Sequence, residues 1–406
     1  MRTARAVAVG WAVTLAACSL PSVGLWSTHA HADVGLYGLY GGRIAHGAFP
    51  YRPGFFMEFP PGAIPPLAVP ALPHGHYIEF FHAFMAVSAL VAVAAVAFAL
   101  AGGSERRRLA AVVTAAVAPA VLGQITLNSL DLWPAALAGV GVAAVLRGRP
   151  RWGLALLGAA SAAKLYPVLL FPVLLTYISG TYGRTEAKRA LVAGAGVLTA
   201  TFLPFAVFAP GGLKYSLQVQ VTRGLQVESL GGSFLGVAHR LGAGFHVVVT
   251  HAPFSYDIAG SFADGLATVM SVIVLVAAFV VWRELRAGTV DRERTVRALA
   301  ATAIAFVAFG KVLSPQYLLF LVPLVPLVAS TLAPLLLLVA LGLTQIWARF
   351  PQPFAQVSSL EGMIWVTLAR NLVLVALYVV LVSGLRGSHR GAEIRTRDLQ
   401  SPRLAR

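Results

Sequence analysis

The sequence predicts an all-α, polytopic integral membrane protein with about 12 membrane-crossing arms. Its mean hydropathy is +0.78 over 406 residues, of which 58% are hydrophobic and 11% are charged. A water-soluble globule of this composition would have to expose long apolar runs. Apolar stretches comparable to the roughly 20 residues that cross a hydrocarbon core recur along the chain. Helices are predicted rather than a β-barrel, because alternating polar positions are missing.

The apolar stretches are predicted to cross the membrane one after another. The longer arms span approximately 5–26, 79–101, 109–123, 131–147, 190–209, 263–283, 298–312, 317–329, 332–348 and 363–385. A pair of short arms, 152–163 and 166–178, lies between two basic loops. Several arms are short for a full span, so tilted, re-entrant or broken helices are expected.

The positive charge indicates topology rather than a nucleic-acid partner. The formal net charge is +16, and the basic clusters fall between apolar stretches. They are Arg2 with Arg5, 104–108, 147–151, 184–189, 283–297 and the tail from Arg386, and they hold 22 of the 31 lysines and arginines. The positive-inside rule then predicts a multi-pass protein of the plasma (inner) membrane with both termini cytoplasmic. The tail can contact anionic lipid headgroups, and no nucleic-acid role is predicted.

Four regions follow from this topology. We predict a first transmembrane helix at 1–26, an outer loop with a catalytic cap at 27–78, a bundle at 79–385 that contains a second outer loop at 210–262, and a basic cytoplasmic tail at 386–406. A cleaved signal peptide is the competing interpretation, since "LAAC" and "AHA" resemble processing sites. The apolar run from Ala6 to Trp26 exceeds the 7–15 residues of a signal core, so retention is predicted. The single cysteine, Cys18, excludes disulfides within the chain.

The first outer loop is unusually polar and aromatic for so apolar a chain. Retention of the first helix places Asp33 just beyond its outer end, followed by Tyr37, Tyr51 and Glu58. Asp33 alone is also explained as a solvated acid in an interfacial aromatic belt. The prolines of "FPP" and "IPP" bend the backbone, so we expect an amphipathic cap over a cavity, with Asp33 turned toward the site.

Two lysines occupy similar breaks in the apolar arms. Lys164 lies in "AAKLYPVLL" and Lys311 in "FGKVLSPQYLLFLVPL", and a proline follows each closely. Ionisable groups at such depth are costly and usually face a partner or a cavity, although snorkelling to the interface is the alternative. The second outer loop adds Arg223, Gln226 and Glu228 in "RGLQVESLGGS".

The predicted outer face therefore combines one candidate base with several cations. Inverting glycosyl transfer from a lipid phosphate donor needs a carboxylate to deprotonate the acceptor hydroxyl and positive charge to stabilise the departing phosphate. No P-loop and no convincing G-x-G-x-x-G unit is present. A transporter or flippase for an anionic lipid or solute is the alternative, and it would place its essential charges near the bilayer midplane.

The same segments resemble glycosyltransferase family 87, membrane enzymes of C-type architecture that use polyprenyl-phosphate sugars and include actinobacterial mannosyltransferases. The matching pieces are "DVGLY", "GAFPY…FPPG", "AKLYPVLL", "QVESLGGS" and above all "KVLSPQYLLFLVPL". The resemblance implies that Asp33 is the general base. It also implies that the transferred sugar is mannose and that a glycolipid or glycan accepts it. The implied donor contacts are Lys164, Lys311, Gln316 and Tyr317, to which we add Tyr166, Arg223 and Glu228.

One departure from the family pattern concerns Glu58. The loop reads "MEFPPG", where an aromatic residue is expected before the proline pair and no acid ahead of it. Glu58 is thus an alternative base, an exposed charge or, like Tyr37 and Tyr51, a candidate acceptor contact. No Asp-x-Asp pair accompanies these elements, so no cofactor or metal is required, though Asp33 with Glu58 could hold a divalent ion. The sequence leaves open whether the sugar is mannose or a pentose. It also leaves open the acceptor and the linkage.

Overall fold

The computed structural model describes residues 2–19, 32–73, 75–251, 254–349 and 359–400. Across these ranges the chain forms fifteen α-helices and three short strands. The helices are α1 Arg2–Ser19, α2 Ala32–Ala45, α3 Ile64–Ala68, α4 Tyr77–Ala99, α5 Glu105–Leu122, α6 Leu132–Leu146, α7 Pro150–Ala163, α8 Phe171–Tyr182, α9 Arg184–Phe208, α10 Pro210–Thr222, α11 Leu230–Arg240, α12 Ser261–Ala287, α13 Arg292–Phe309, α14 Leu332–Arg349 and α15 Met363–Gln400. The strands are β1 Leu225–Gln226, β2 Val247–His251 and β3 Phe254–Ile258.

Four of the described helices are long and apolar enough to cross a membrane: Tyr77–Ala99, Arg184–Phe208, Ser261–Ala287 and the Met363–Arg386 part of α15. Shorter apolar helices cover Leu132–Leu146, Tyr166–Tyr182, Pro315–Leu327 and Leu332–Ile346. The predicted count of about 12 arms is therefore not confirmed. The other predicted arms are short or begin with charged turns, such as "ERRR" in α5. The predicted first arm is helical from Arg2 to Ser19, and its end at 26 lies outside the described residues.

Prolines break two of the predicted arms. The arm at 166–178 starts as a 3₁₀ segment, Tyr166–Leu170, and continues as α8. The arm at 317–329 is 3₁₀ in two pieces, Pro315–Leu321 and Val325–Leu327. Proline has no N–H to continue an α-helical ladder, so "YPVLLFP" and "SPQYLLFLVPLVP" favour short, tight turns. The expectation of broken helices is confirmed at both places.

Small residues let the central helices approach closely. A Cβ on Gly158 of α7 would overlap the carbonyl group of Gly194 on α9, and one on Gly153 would overlap α6. Such contacts are typical of helix packing in lipid, where small side chains bring backbones together. The first helix joins this bundle, since α1 contacts α4 and α5, and Trp11 Nε1 donates to the Leu90 carbonyl at 3.0 Å.

The described residues of the predicted second outer loop, 210–262, include the three strands. They form one antiparallel sheet in the order β1-β3-β2, with Leu225 paired to Ile258 and Val249 to Tyr256. The all-α prediction is thus corrected for this segment. The β-branched run "VVVT" in β2 favours a strand and was the signal in the sequence.

Ion pairs join the loops that are predicted to be cytoplasmic to one another. Arg107 of α5 contacts Glu293 of α13, and Arg151 contacts Glu186 at 2.8 Å. Glu284 near the end of α12 contacts Arg386 at 3.4 Å. These pairs lie at one end of the bundle. The candidate site residues lie at different helix ends, those of α2, α6, α7 and α13.

Candidate active site

Asp33 lies in the first turn of α2, where the positive end of the helix dipole favours a carboxylate. The side chain is half-buried, and burial is the main cause that raises the pKa of its carboxyl. The charge of Asp131 raises this pKa further and that of Glu58 adds to it, whereas Lys164 lowers it. The structure thus brings Asp33 within electrostatic range of two other carboxylates and one ammonium group.

Asp131 and Lys164 form an ion pair between two helix ends. Lys164 follows the last residue of α7, Asp131 precedes α6, and Lys164 Nζ donates to Asp131 Oδ1 at 2.7 Å. The exposed fractions of the two side chains are 16% and 1%. Burial lowers the pKa of Lys164, but the nearby Asp131 outweighs it and the net pKa is raised, so the ammonium stays charged.

Sequence reasoning placed Asp131 only at the start of an arm and assigned it no role. The available signal was an acid at the edge of an apolar stretch, in "NSLDLW". A buried carboxylate without a partner would be strongly destabilising, so such an acid indicates a cation nearby. Which cation fills that place depends on packing.

Aromatic rings form the wall behind Lys164. Its Nζ lies 4.6 Å from the centroid of the Tyr317 ring, a distance typical of a cation–π contact. Tyr166 is fully buried and stacks on Phe320 with centroids 4.0 Å apart. Tyr317 therefore reaches the site beside Lys164, whereas Tyr166 supports the wall from behind. Gln316, also predicted to contact the donor, is only half-buried.

Glu58 is hydrogen-bonded to residues of α2 and α10. Tyr40 donates its hydroxyl to Glu58 Oε2 at 2.7 Å, and the Glu58 carbonyl accepts from Ser216 Oγ at 3.1 Å and Gln220 Nε2 at 2.9 Å. Glu58 is half-buried, so of the three readings of this residue the exposed charge is wrong.

The two tyrosines predicted as acceptor contacts are buried. Tyr37 is one turn after Asp33 on the same face of α2 and is 2% exposed. Tyr51 donates its hydroxyl to the Phe59 carbonyl at 2.6 Å and is 1% exposed. Tyr51 also has a φ of 70°, a strained backbone for a non-glycine residue. Tyr51 thus shapes the loop, and Tyr37 is buried within electrostatic range of Asp33.

Two further cations lie beside Lys164. Arg223 directly follows α10 and lies within electrostatic range of Lys164, Glu228 and Lys311. Lys311 follows α13, and its Nζ donates to the Val221 carbonyl at 2.6 Å. The three predicted cations therefore meet in one region.

Glu228 is buried within electrostatic range of Arg223. Its exposed fraction is 5%, and burial raises the pKa of its carboxyl to about 7, opposed by Arg370 and then by Arg223. Arg370 and its neighbour Asn371, on α15, both donate to the Glu228 carbonyl. Sequence reasoning missed both residues, although an arginine inside an apolar span is a recognised signal of a functional partner.

The site offers no obvious metal centre. Among the residues that the structure describes, no three His, Cys, Asp or Glu side chains are grouped as metal ligands. A cofactor-free reaction stays a prediction. If Asp33 and Glu58 hold a divalent ion, they do so with oxygen ligands from elsewhere.

An apolar helical bundle in which the carboxyls of Asp33 and Glu228 lie beside three cations defines a class, namely membrane proteins whose site suits an anionic ligand. The particular family is shown by sequence. The model of glycosyltransferase family 87 matches residues 56–315, more than half of the chain, and the chain belongs to this family. It is therefore a membrane glycosyltransferase, and the predicted resemblance is confirmed. Asp33, Gln316 and Tyr317 lie outside the matched residues.

Other comparisons add little. Among solved structures, the chain is similar to one described as the crystal structure of ArnT from Cupriavidus metallidurans bound to undecaprenyl phosphate. The identity is 14%, the TM-score is 0.48, and the alignment covers 96% of this chain and 78% of that chain. This likeness is too low to carry an inference about ligands or mechanism. No curated protein matches the chain at a significant level.

Proposed function

We propose that the protein transfers mannose from a polyprenyl-phosphate donor to a glycolipid or glycan acceptor at the outer face of the plasma membrane, with inversion at the anomeric carbon. Membership of glycosyltransferase family 87 supports sugar transfer. The observation that carries the proposal is the position of Asp33, half-buried, with a raised pKa and within electrostatic range of Lys164.

Asp33 has the role of general base in this reaction. Its carboxylate takes the proton from the acceptor hydroxyl while that oxygen bonds to the anomeric carbon of the donor. The bond from this carbon to the phosphate oxygen breaks, and its electron pair stays on the phosphate. A base with a raised pKa accepts a proton more readily than an ordinary carboxylate, and this assistance is typically worth about 10²–10⁴-fold.

The cations have the complementary role. Lys164, Arg223 and Lys311 lie together, and positive charge near the departing phosphate stabilises the charge that develops there. Lys164 commits one of its three N–H donors to Asp131 and keeps the others. Arg223 has a buried Nε without a hydrogen-bond partner among the described residues, which suits it to an anionic ligand.

The position of the charges favours an enzyme over a transporter. Asp33 lies in the first turn of α2, Asp131 precedes α6, Lys164 follows α7 and Lys311 follows α13. These groups lie at helix ends, whereas a transporter is expected to hold its essential charges near the bilayer midplane. The outer location of this end rests on the positive-inside rule, because the basic clusters pair with one another elsewhere.

Mannose is the narrowest part of the proposal and rests on the resemblance to actinobacterial mannosyltransferases. The test is transfer by purified protein in liposomes from radiolabelled polyprenyl-phosphate mannose, with polyprenyl-phosphate pentose in parallel and membrane glycolipid as acceptor. Transfer of mannose with inverted configuration is expected. Transfer of pentose alone would show that the donor sugar is a pentose. Flux of substrate without transfer from either donor would show that the protein is a transporter and not an enzyme.

A further inference from the structure

The second outer loop, 210–262, has three buried polar atoms without a hydrogen-bond partner among the described residues. They are Arg223 Nε, Gln226 Oε1 and Glu228 Oε1, and none has a hydrogen bond within the described parts of the chain. Gln226 and Glu228 are 6% and 5% exposed. A buried polar atom that stays unpaired is costly, so three on one short segment indicate a binding site for a polar ligand.

The unpaired atoms define the chemistry of that ligand. Gln226 turns its amide nitrogen toward Glu228 Oε2 at 3.5 Å and Ser314 Oγ at 3.4 Å, which leaves its oxygen as an acceptor. Glu228 Oε1 is a second acceptor, and Arg223 Nε is a donor. Two neighbouring acceptors fit a ligand that carries several hydroxyl groups, and the cation beside them fits an attached phosphate.

Arg370 lies directly behind this segment on α15. The side chain is only 2% exposed, although a guanidinium group within an apolar helix is costly unless it has partners. No carboxylate lies within ion-pair distance of Arg370 among the described residues. Instead, its Nη2 donates to the Glu228 carbonyl at 2.6 Å and its Nε to Asn371 Oδ1 at 3.0 Å.

Asn371 completes the contact from the same helix. Its Nδ2 donates to the Glu228 carbonyl at 3.1 Å and lies 3.0 Å from Ser233 Oγ. Two adjacent side chains of α15 thus hold one carbonyl of the outer segment. Ser229 stiffens the segment further, since its Oγ donates to the Gln226 carbonyl at 2.7 Å and accepts from Gly232 N at 3.0 Å. The backbone that carries Gln226 and Glu228 is therefore fixed from both sides.

We propose that Gln226 and Glu228 accept hydrogen bonds from sugar hydroxyls of the donor, and that Arg370 and Asn371 are positioning residues that set this sugar subsite through the Glu228 carbonyl. The inference deepens the proposed function and rests on it. It gives Arg370 and Asn371 of α15 a role in sugar specificity, although both are far from Asp33 in sequence.

The variants are chosen so that folding and positioning are separable. Arg370→Lys keeps the charge but loses the planar fork of donors, Asn371→Leu removes the amide at similar volume, and Gln226→Leu removes one acceptor directly. Arg386→Gln is the matched control, because Arg386 lies on the same helix, is exposed and pairs with Glu284 at the opposite end. Size-exclusion profiles and thermal midpoints in detergent report folding.

Three quantities are measured: donor KM, the ratio of kcat/KM for two polyprenyl-phosphate sugars epimeric at one hydroxyl, and binding of polyprenyl phosphate without a sugar. We expect all three site variants to raise donor KM by about three- to tenfold and to change the epimer ratio, as the loss of one hydrogen bond does. Binding of the sugar-free lipid and the behaviour of Arg386→Gln should stay at the wild-type level.

The outcomes separate this inference from the proposed function. An unchanged epimer ratio and donor KM in folded Asn371→Leu and Gln226→Leu, with activity lost only in proportion to folded protein, would overturn the inference and leave the transferase intact. If the wild type transfers no sugar, the proposed function fails. The sugar subsite is then supported only if the wild type binds the polyprenyl-phosphate sugar more tightly than the sugar-free lipid and the variants lose that difference. Equal binding of both lipids would overturn it.

Discussion

Lys164 Nζ lies 2.7 Å from Asp131 Oδ1, and both members of this pair lie within electrostatic range of the carboxyl of Asp33. Burial is the largest influence on the pKa of Asp33, and the two members of the pair then act in opposite directions, Asp131 raising it and Lys164 lowering it. The pair therefore adjusts the proton affinity of the candidate base without adding net charge to the site.

Replacing either member of the pair should move the acid limb of the activity profile in a known direction. Lys164→Met removes the group that lowers the pKa of Asp33, so the limb shifts to higher pH. Asp131→Asn removes a group that raises it, so the limb shifts to lower pH. The measurement is kcat/KM for sugar transfer against pH. A shift of both variants in the same direction would contradict the assignment of Asp33 as the titrating base.

Asp33→Asn should abolish transfer while leaving the protein folded. The amide keeps the size of the side chain but cannot take a proton, and general-base assistance is typically worth about 10²–10⁴-fold. Donor binding, followed in parallel, should be retained. Glu58→Gln is the matched control and should be milder, since Glu58 is held by Tyr40. Loss of transfer in Glu58→Gln but not in Asp33→Asn would make Glu58 the base.

Lys311→Met should reduce transfer by about ten- to a hundredfold, because one charge-assisted contact to the leaving phosphate is worth about 1.5–3 kcal/mol. Membrane expression should be nearly unchanged. Lys214→Met, an exposed lysine on the adjacent α10, is the control and should have no effect. Wild-type rates in Lys311→Met would assign Lys311 to holding the Val221 carbonyl alone.

Glu228 should make donor affinity depend on pH near neutrality. Burial raises the pKa of its carboxyl to about 7, so the group is neutral below this pH and a carboxylate above it. Since the carboxylate is the better acceptor for sugar hydroxyls, donor KM should rise as pH falls through about 7. In Glu228→Gln this dependence should disappear. A wild-type KM that is constant over about two pH units around 7 would refute the prediction.

The first helix should be retained in the mature protein. Its contacts with α4 and α5, including the bond from Trp11 to the Leu90 carbonyl, would be lost on cleavage. Intact mass spectrometry of the purified protein is the check. An amino terminus at Cys18 or Asp33 would remove α1 from the bundle and contradict the prediction.

The residues of the candidate site were largely predictable as types but not as an arrangement. Asp33, Lys164, Arg223, Glu228 and Lys311 stand out because charged side chains are rare in so apolar a chain. Asp131, Arg370 and Asn371 were missed, because each lies at or within an apolar stretch and its importance depends on what packs against it. The strands of the second outer loop were missed as well.

The sequence alone determined the membrane class, the helical secondary structure and the separation of basic loops from the polar candidate residues. These properties depend on hydropathy and charge along the chain, which are local. Only the tertiary structure decided that Lys164 pairs with Asp131, 33 residues away, and that Arg370 holds the carbonyl of Glu228, 142 residues away. Such contacts arise because a buried charge must find a partner in the space around it, and the packing of the helices sets which partner is there.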